Sequence, residues 1–230
     1  MKDKMLFEWR YFWGTIDNEK FFHFAWFRFK NREFSHLSID GKFYEGKWKC
    51  DNRSAYTPIL SFSLDSKYGD SINVENEKNI HISNPSLSGI GLLNGKIVKI
   101  DAWYDYESGK KVFIRNWKWT SIKFNNGLGM FLYKREFEKG GAYVIENGKS
   151  SKTEYYLEDC LFEEKGKKII FNPKYGRPYS EQPIVVIKNG NVIGCGVIEE
   201  TYGWDFKKLV KILIKLFKEK IKWDSFLQCY

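Results

Sequence analysis

The chain has 230 residues, long enough for one large β domain or two small ones and for a sizeable buried core. Aromatic residues make up 18% of it, which suits sheets and pockets better than helix bundles. No run approaches the roughly 18 apolar residues of a membrane helix. The four cysteines (Cys50, Cys160, Cys195 and Cys229) show no Cys-x-x-Cys spacing, and no apolar leader precedes Phe7. This pattern leads us to expect a soluble, reduced, cytoplasmic protein with no structural metal. Of the net charge of +9, +5 falls between Asp205 and Lys222. A nucleic-acid partner would call for basic residues on the aromatic strands themselves, so none is expected.

In chain order, Phe7, Trp9, Tyr11 and Trp13 form one face of a strand, with Glu8 and Arg10 on the other. Gly14 to Lys20 is polar and turn-like. The segment from Phe21 to Lys30 is apolar on both faces until Arg28, which predicts burial between a barrel interior and a second layer. Phe34 to Ile39 and Lys42 to Cys50 continue an antiparallel meander around Asp40-Gly41. Weaker strands are expected at Ile59–Leu64 and Ser71–Val74, and firmer ones at Ile80–Ser83, Leu87–Leu93 and Lys96–Trp103, the last two joined at Asn94-Gly95. Trp117 to Phe137 is a hairpin around Asn126-Gly127, and Ala142–Ile145 lies between Gly140-Gly141 and Asn147-Gly148. Lys152–Phe162 and Lys168–Phe171 extend the sheet. Arg177–Gln182, with Pro178 and Pro183 nearby, is expected to be a loop or edge. Ile184–Lys188 and Val192–Glu200 form a hairpin around Asn189-Gly190.

The last element changes period. Phe206, Leu209, Val210, Leu213, Leu216, Phe217 and Ile221 recur at helical spacing, Asp205 is an N-cap candidate, and lysines fill the opposite face. Such a helix either covers an end or open side of the barrel or makes peripheral membrane contact.

The chemistry-bearing stretch is Ala102 to Gly109. Asp105 and Glu107 alternate with Tyr104 and Tyr106, so on a strand the two acids share one face. Neither Gly89-Ile90-Gly91 nor Gly194-Cys195-Gly196 continues into a dinucleotide or Walker loop. Three separated histidines and no cysteine pair argue against zinc. Cys195 has no neighbouring histidine to activate it. His23, flanked by Phe22 and Phe24, is read as structural.

Five blocks resemble, in order, the lipocalin-like AttH and carotenoid 1,2-hydratase superfamily. They are Glu8-Trp9-Arg10-Tyr11-Phe12-Trp13-Gly14 with Phe24–Arg28; Leu87–Val98; Ala102–Gly109; Trp117–Tyr133; and Gly194–Gly203. Arg10 stands where the family has a second Trp, and the later half is compressed. The resemblance implies an all-β, lipocalin-like antiparallel barrel built as two packed barrel-like halves, the second smaller. These would be residues 1–115 and 116–204, followed by an amphipathic helix and tail over 205–230. It also implies a hydrophobic ligand, isoprenoid in some members, in a barrel interior and a cofactor-independent hydration or cyclisation started by an acid. The alternative is a non-catalytic lipid or terpenoid binder. On that resemblance Asp105 is the candidate proton donor, Glu107 its assistant, and His81 the candidate base toward water. Trp103, Tyr104, Trp117, Trp119 and Tyr133 are the candidate ligand-binding aromatics.

Overall fold

The computed structural model describes residues 7–29, 32–76, 79–109, 117–135, 141–153, 160–165, 168–171 and 179–201. Every regular element among the described residues is a strand. The first sheet contains β1 (Phe7–Ile16), β2 (Lys20–Phe29), β3 (Arg32–Ile39), β4 (Lys42–Gly46), β5 (Lys49–Cys50), β6 (Ser54–Tyr56), β7 (Leu60–Ser66), β8 (Ser71–Asn76), β9 (Asn79–Leu93) and β10 (Lys96–Gly109). Its order is β4-β3-β2-β1-β10-β9-β7-β6-β5, with β8 also beside β9. The second contains β11 (Trp117–Phe124), β12 (Gly129–Arg135), β13 (Gly141–Glu146), β14 (Lys149–Lys152), β15 (Cys160–Glu164), β16 (Ile169–Phe171), β17 (Tyr179–Lys188) and β18 (Asn191–Thr201). Its order is β14-β13-β12-β11-β18-β17-β15, with β16 also beside β17. The helix expected over 205–222 lies outside the described residues.

The hairpins form where the turn residues demand them. Asp40-Gly41, Asn94-Gly95, Asn147-Gly148 and Asn189-Gly190 all place both residues at positive φ, the two-residue turn whose twist matches its strands. Asp17-Asn18 does the same without glycine, at φ 53° and 59°. The carboxylate of Asp17 accepts from the Lys99 amide at 2.8 Å, which anchors the turn on β10. The turn therefore sits later than the expected Gly14–Lys20 break, and Gly14 lies inside β1. There it fits because a Cβ would fall 2.0 Å from the Asp101 carbonyl oxygen.

Two prolines conceal strand continuity. β9 runs unbroken through Pro85, which sits in a bulge: Leu87 faces Ala102 and Asn84 faces Tyr104, so two β9 residues oppose Trp103 alone. β17 likewise runs through Pro183, at the gap between Ile184, paired with β15, and Glu181, paired with β16. The loop or edge expected over 177–182 is thus, from Tyr179 on, part of a strand paired along its length with β18.

Around β1, β2 and residues 102–105 of β10 the first sheet is packed on both faces. On one, it curls so that β1–β3 face β6 and β7 across a core containing Phe12, Phe22, Phe24, Leu37, Leu60 and Phe62, each at most 3% exposed. On the other, Tyr11, Trp13, Ala25 and Trp103 pack against Phe131, Ile145 and Val197 of the second sheet. The double-sided apolar pattern of β2 follows from these two layers. A third cluster, with Ile122, Phe124, Met130, Ile184 and Val186, fills the far side of the second sheet. The sheets approach closely at Gly129, where a Cβ would lie 2.6 Å from Pro85 and 2.9 Å from Trp103.

Gly14→Ala is expected to lower stability by about 1–3 kcal/mol, because the added methyl must displace the β10 backbone. Urea unfolding checks this through a lower midpoint at unchanged slope.

Candidate functional site

Strand register places the polar residues of the layer between the sheets without any appeal to loops. Asp105 pairs with Tyr11 on β1 and with Ser83 on β9; Tyr11 pairs with Ala25 on β2, and Ala25 with His36 on β3. Ser83, Asp105, Tyr11, Ala25 and His36 therefore form one row across the first sheet. His81 and Glu107, directly paired, occupy the next row on one side, and Trp13 and His23, also paired, the next on the other. In the second sheet Glu181 pairs with Glu199, Glu199 with Trp119, and Trp119 with Tyr133. That row faces the first.

Contacts across the layer join the rows. His81 Nε2 lies 3.3 Å from Asp105 Oδ1, and the Ser83 hydroxyl donates to the same oxygen at 2.5 Å. The His81 ring meets Trp119 and Phe131 edge-on, with centroids 4.8 and 5.4 Å away. Trp119, Phe131, Tyr133 and Tyr143 form a platform of nearly parallel rings; Trp119 and Phe131 are 5.0 Å apart and inclined by 9°. The Tyr11 hydroxyl lies near the Glu199 carboxyl and favours its ionised form. His23 Nδ1 contacts the Glu181 carboxylate. The indole N–H of Trp13 donates to Ser121 Oγ at 2.7 Å.

Burial sets the protonation of this layer. The Glu199 carboxyl is held well above the usual carboxylate range, first by loss of solvent and then by the charges of Glu181 and Asp105; the Tyr11 hydroxyl opposes this only in part. Glu199 therefore keeps its proton where a solvated glutamate would lose it. Burial and then His23 push His36 well below the usual imidazole range, so it stays neutral. The Cys195 thiol is pushed up by burial and remains a thiol, which leaves it a poor nucleophile.

Of the residues expected from the sequence, Asp105, His81, Trp119, Tyr133 and Trp103 meet in this layer, and Glu107 stands beside His81 in register. Trp103 is fully buried and stacks on Trp13 with centroids 6.1 Å apart, so it serves as a wall. Tyr104 does not join them. Alternate strand residues point to opposite faces, and Tyr104 faces the curled core, 4.8 Å from Phe12, with its hydroxyl donating to Asn52 Oδ1 at 2.8 Å. The side chain of Trp117 lies outside what the structure describes. Arg10, where the resemblance expects Trp, lies over Trp26 and Tyr106 at 5.1 and 5.5 Å and pairs with Glu8 at 2.6 Å, also on the curled-core side.

The sequence gives no such weight to Glu181, Glu199, His36 or Tyr11. Glu181 is hidden by the two prolines beside it. Glu199 does carry a signal, since it occupies an inward position of a strand whose other inward residues are Val197 and Cys195. All three histidines of the chain are buried on this face of the first sheet.

No family model matches the chain, and no curated protein matches its sequence. Solved structures do match its fold. One, provisionally assigned as an AttH, comes from Nitrosomonas europaea: TM-score 0.62, 15% identity, covering 85% of this chain and 92% of that one. Another is kievitone hydratase from Nectria haematococca: TM-score 0.51, 12% identity, covering 86% and 90%. Both neighbours belong to the lipocalin-like AttH and carotenoid hydratase group. Two curled antiparallel sheets in this order therefore give the chain the fold of that group.

Proposed function

We propose that the protein hydrates a carbon–carbon double bond of a hydrophobic molecule held between the two sheets, by acid–base chemistry of its own side chains. The observation that carries this is a fully buried glutamic acid, Glu199, in one layer with the Asp105 and His81 pair, whose atoms lie 3.3 Å apart, beside four nearly parallel aromatic rings. The fold it shares with a hydratase supports the same reading.

Addition of water needs a proton for one alkene carbon and a base for the water that attacks the other. Glu199 supplies the proton, because burial has kept it there. The positive charge that develops on carbon is stabilised by the π faces of Trp119, Phe131, Tyr133 and Tyr143. Water then forms the new C–O bond and gives its proton to the Asp105–His81 pair. The proton returns to Glu199 to close the cycle; the charge of Asp105 already acts on Glu199, so the two groups are close. This division assigns the donor role to Glu199 and moves Asp105, the donor expected from sequence, to the water side. Trp9, Glu107, Trp119, Tyr133 and Tyr143 are only half-buried. They form the rim along which an apolar ligand enters.

A panel of terpenoid alkenes assayed in oxygen-18 water tests the activity by gain of labelled water. Asp105→Asn is expected to lower turnover by at least about 100-fold while ligand affinity changes less than about threefold. An unlabelled product pool with tight binding would instead identify a non-catalytic binder.

Glu199→Gln gives a second expectation, in stability. A carboxyl raised above its unfolded value near 4.5 contributes stability that is present below that pH and lost as pH rises through the folded value. Glutamine mimics the protonated acid at every pH. The variant should melt close to the parent at pH 4 and progressively above it toward pH 8, which thermal unfolding across that range measures.

A further inference from the structure

A second cluster in the same layer is left unused by the hydration chemistry. His23 on β2, His36 on β3 and Glu181 on β17 are 0%, 3% and 0% exposed. One ligating atom from each lies within 4.8 Å of the others. The two imidazoles come from neighbouring strands at diagonal positions of one face, with ring centroids 4.9 Å apart and planes at 89°. The carboxylate comes from the opposite sheet.

Two features point to a ligand rather than to ordinary packing. Glu181 and His23 are both fully buried, yet neither carboxylate oxygen of Glu181 and neither ring nitrogen of His23 has a hydrogen bond of normal geometry. His23 Nδ1 and the carboxylate abut without forming one. A buried carboxylate whose one cationic neighbour makes no well-formed hydrogen bond to it is under-compensated, and native proteins satisfy such a group with a donor, a water or an ion. Glu199, next to Glu181, is an acid and adds no positive charge. The donor set is also chemically selective: two imidazole nitrogens and one carboxylate suit zinc and its first-row neighbours, whereas calcium and magnesium take oxygen shells.

We infer that His23, His36 and Glu181 bind one divalent first-row transition ion, zinc in the first instance, which links β2 and β3 of the first sheet to β17 of the second. The ion compensates Glu181 and takes a nitrogen lone pair from each of His23 and His36. Three protein ligands leave a position for water. None of the three ligands exchanges a proton in the hydration scheme; the ion meets that scheme only through charge, since the charge of Glu181 is one of the causes that hold the proton on Glu199. Zinc binding is read by its own titration, apart from turnover.

The test uses the full chain, stripped with a chelator and titrated with zinc chloride and, separately, cobalt chloride. Calorimetry is expected to give one zinc per chain, and thermal unfolding a rise in Tm that saturates at that ratio. Cobalt is expected to give visible d–d bands of a nitrogen and oxygen site, with no thiolate charge-transfer band. Glu181→Gln and His23→Ala should each weaken zinc binding by at least about tenfold. Three results would overturn the assignment: no saturable zinc binding, a thiolate band in the cobalt spectrum, or zinc affinity unchanged in both variants. The cobalt spectrum of the parent decides the matter even where a variant fails to fold.

Discussion

The first sheet is packed on both faces around β1, β2 and residues 102–105 of β10, and most of the structure follows from that constraint. A strand buried on both sides must send each residue into one of two layers, and a polar residue in either must find its partner there. On the curled side the demand is met within the sheet: Glu8 lies between Arg10 and Arg28, and Tyr104 reaches Asn52. On the other side Asp105 is met within its own sheet by Ser83 and His81, and further polar groups are met by the second sheet. Trp13 bonds Ser121, Lys123 pairs with Asp101, and the Tyr11 hydroxyl acts on Glu199. Apolar packing alone would let two sheets slide over one another, since it is non-directional. These polar pairs fix where one sheet sits on the other, and so they also fix which rings stand opposite Asp105.

The same burial decides the electrostatics. Three carboxylic acids, Asp105, Glu181 and Glu199, lie in one layer, and a layer this dry cannot carry three bare negative charges. Each is handled differently. Asp105 takes a short bond from Ser83 and lies against His81; Glu181 lies against His23; Glu199 keeps its proton. Adjacent carboxyls in a dry layer cannot all ionise, so a proton held on one lowers the cost of the charge on its neighbours. The rim of the layer, at Trp9, Glu107, Trp119, Tyr133 and Tyr143, is only half-buried.

Local chemistry was legible in the sequence, and long-range convergence was not. Asp40-Gly41, Asn94-Gly95 and Asn189-Gly190 announced their hairpins because the turn demands φ values that those residues tolerate. The alternation through Trp9, Tyr11 and Trp13 announced a packed face, and the double apolar pattern from Phe21 announced a strand with two layers. Pro85 and Pro183 misled, because a proline within a strand reads as its end unless the pairing gap beside it is known. Glu181 was lost with Pro183. His23 was read as structural and His36 received no role, since thirteen residues separate them in sequence, whereas the β2–β3 turn folds them onto one face. The acids of β17 and β18 approach β10 and β2 only through sheet-on-sheet packing, which no local pattern encodes.

A lipocalin-like fold suggests a ligand inside the curl, yet the buried acids and imidazoles lie on its outside. The interior of the first curl is filled by Phe12, Phe22, Phe24, Leu60 and Phe62, all nearly or wholly buried, and its polar end is taken by the Glu8 and Arg10 cluster. The acids, the imidazoles and the aromatic platform instead share the layer between sheets. Neither sheet has a complete site: β9 and β10 hold Ser83, His81 and Asp105, while β11, β12, β13 and β18 hold the rings and Glu199. The geometry of the candidate site therefore depends on how the two sheets dock, and Gly129, against Pro85 and Trp103, is a point where they approach closely. A side chain there would meet Pro85 and Trp103 and shift one sheet against the other, so the arrangement of acids and rings is a property of the docked pair and of neither sheet alone.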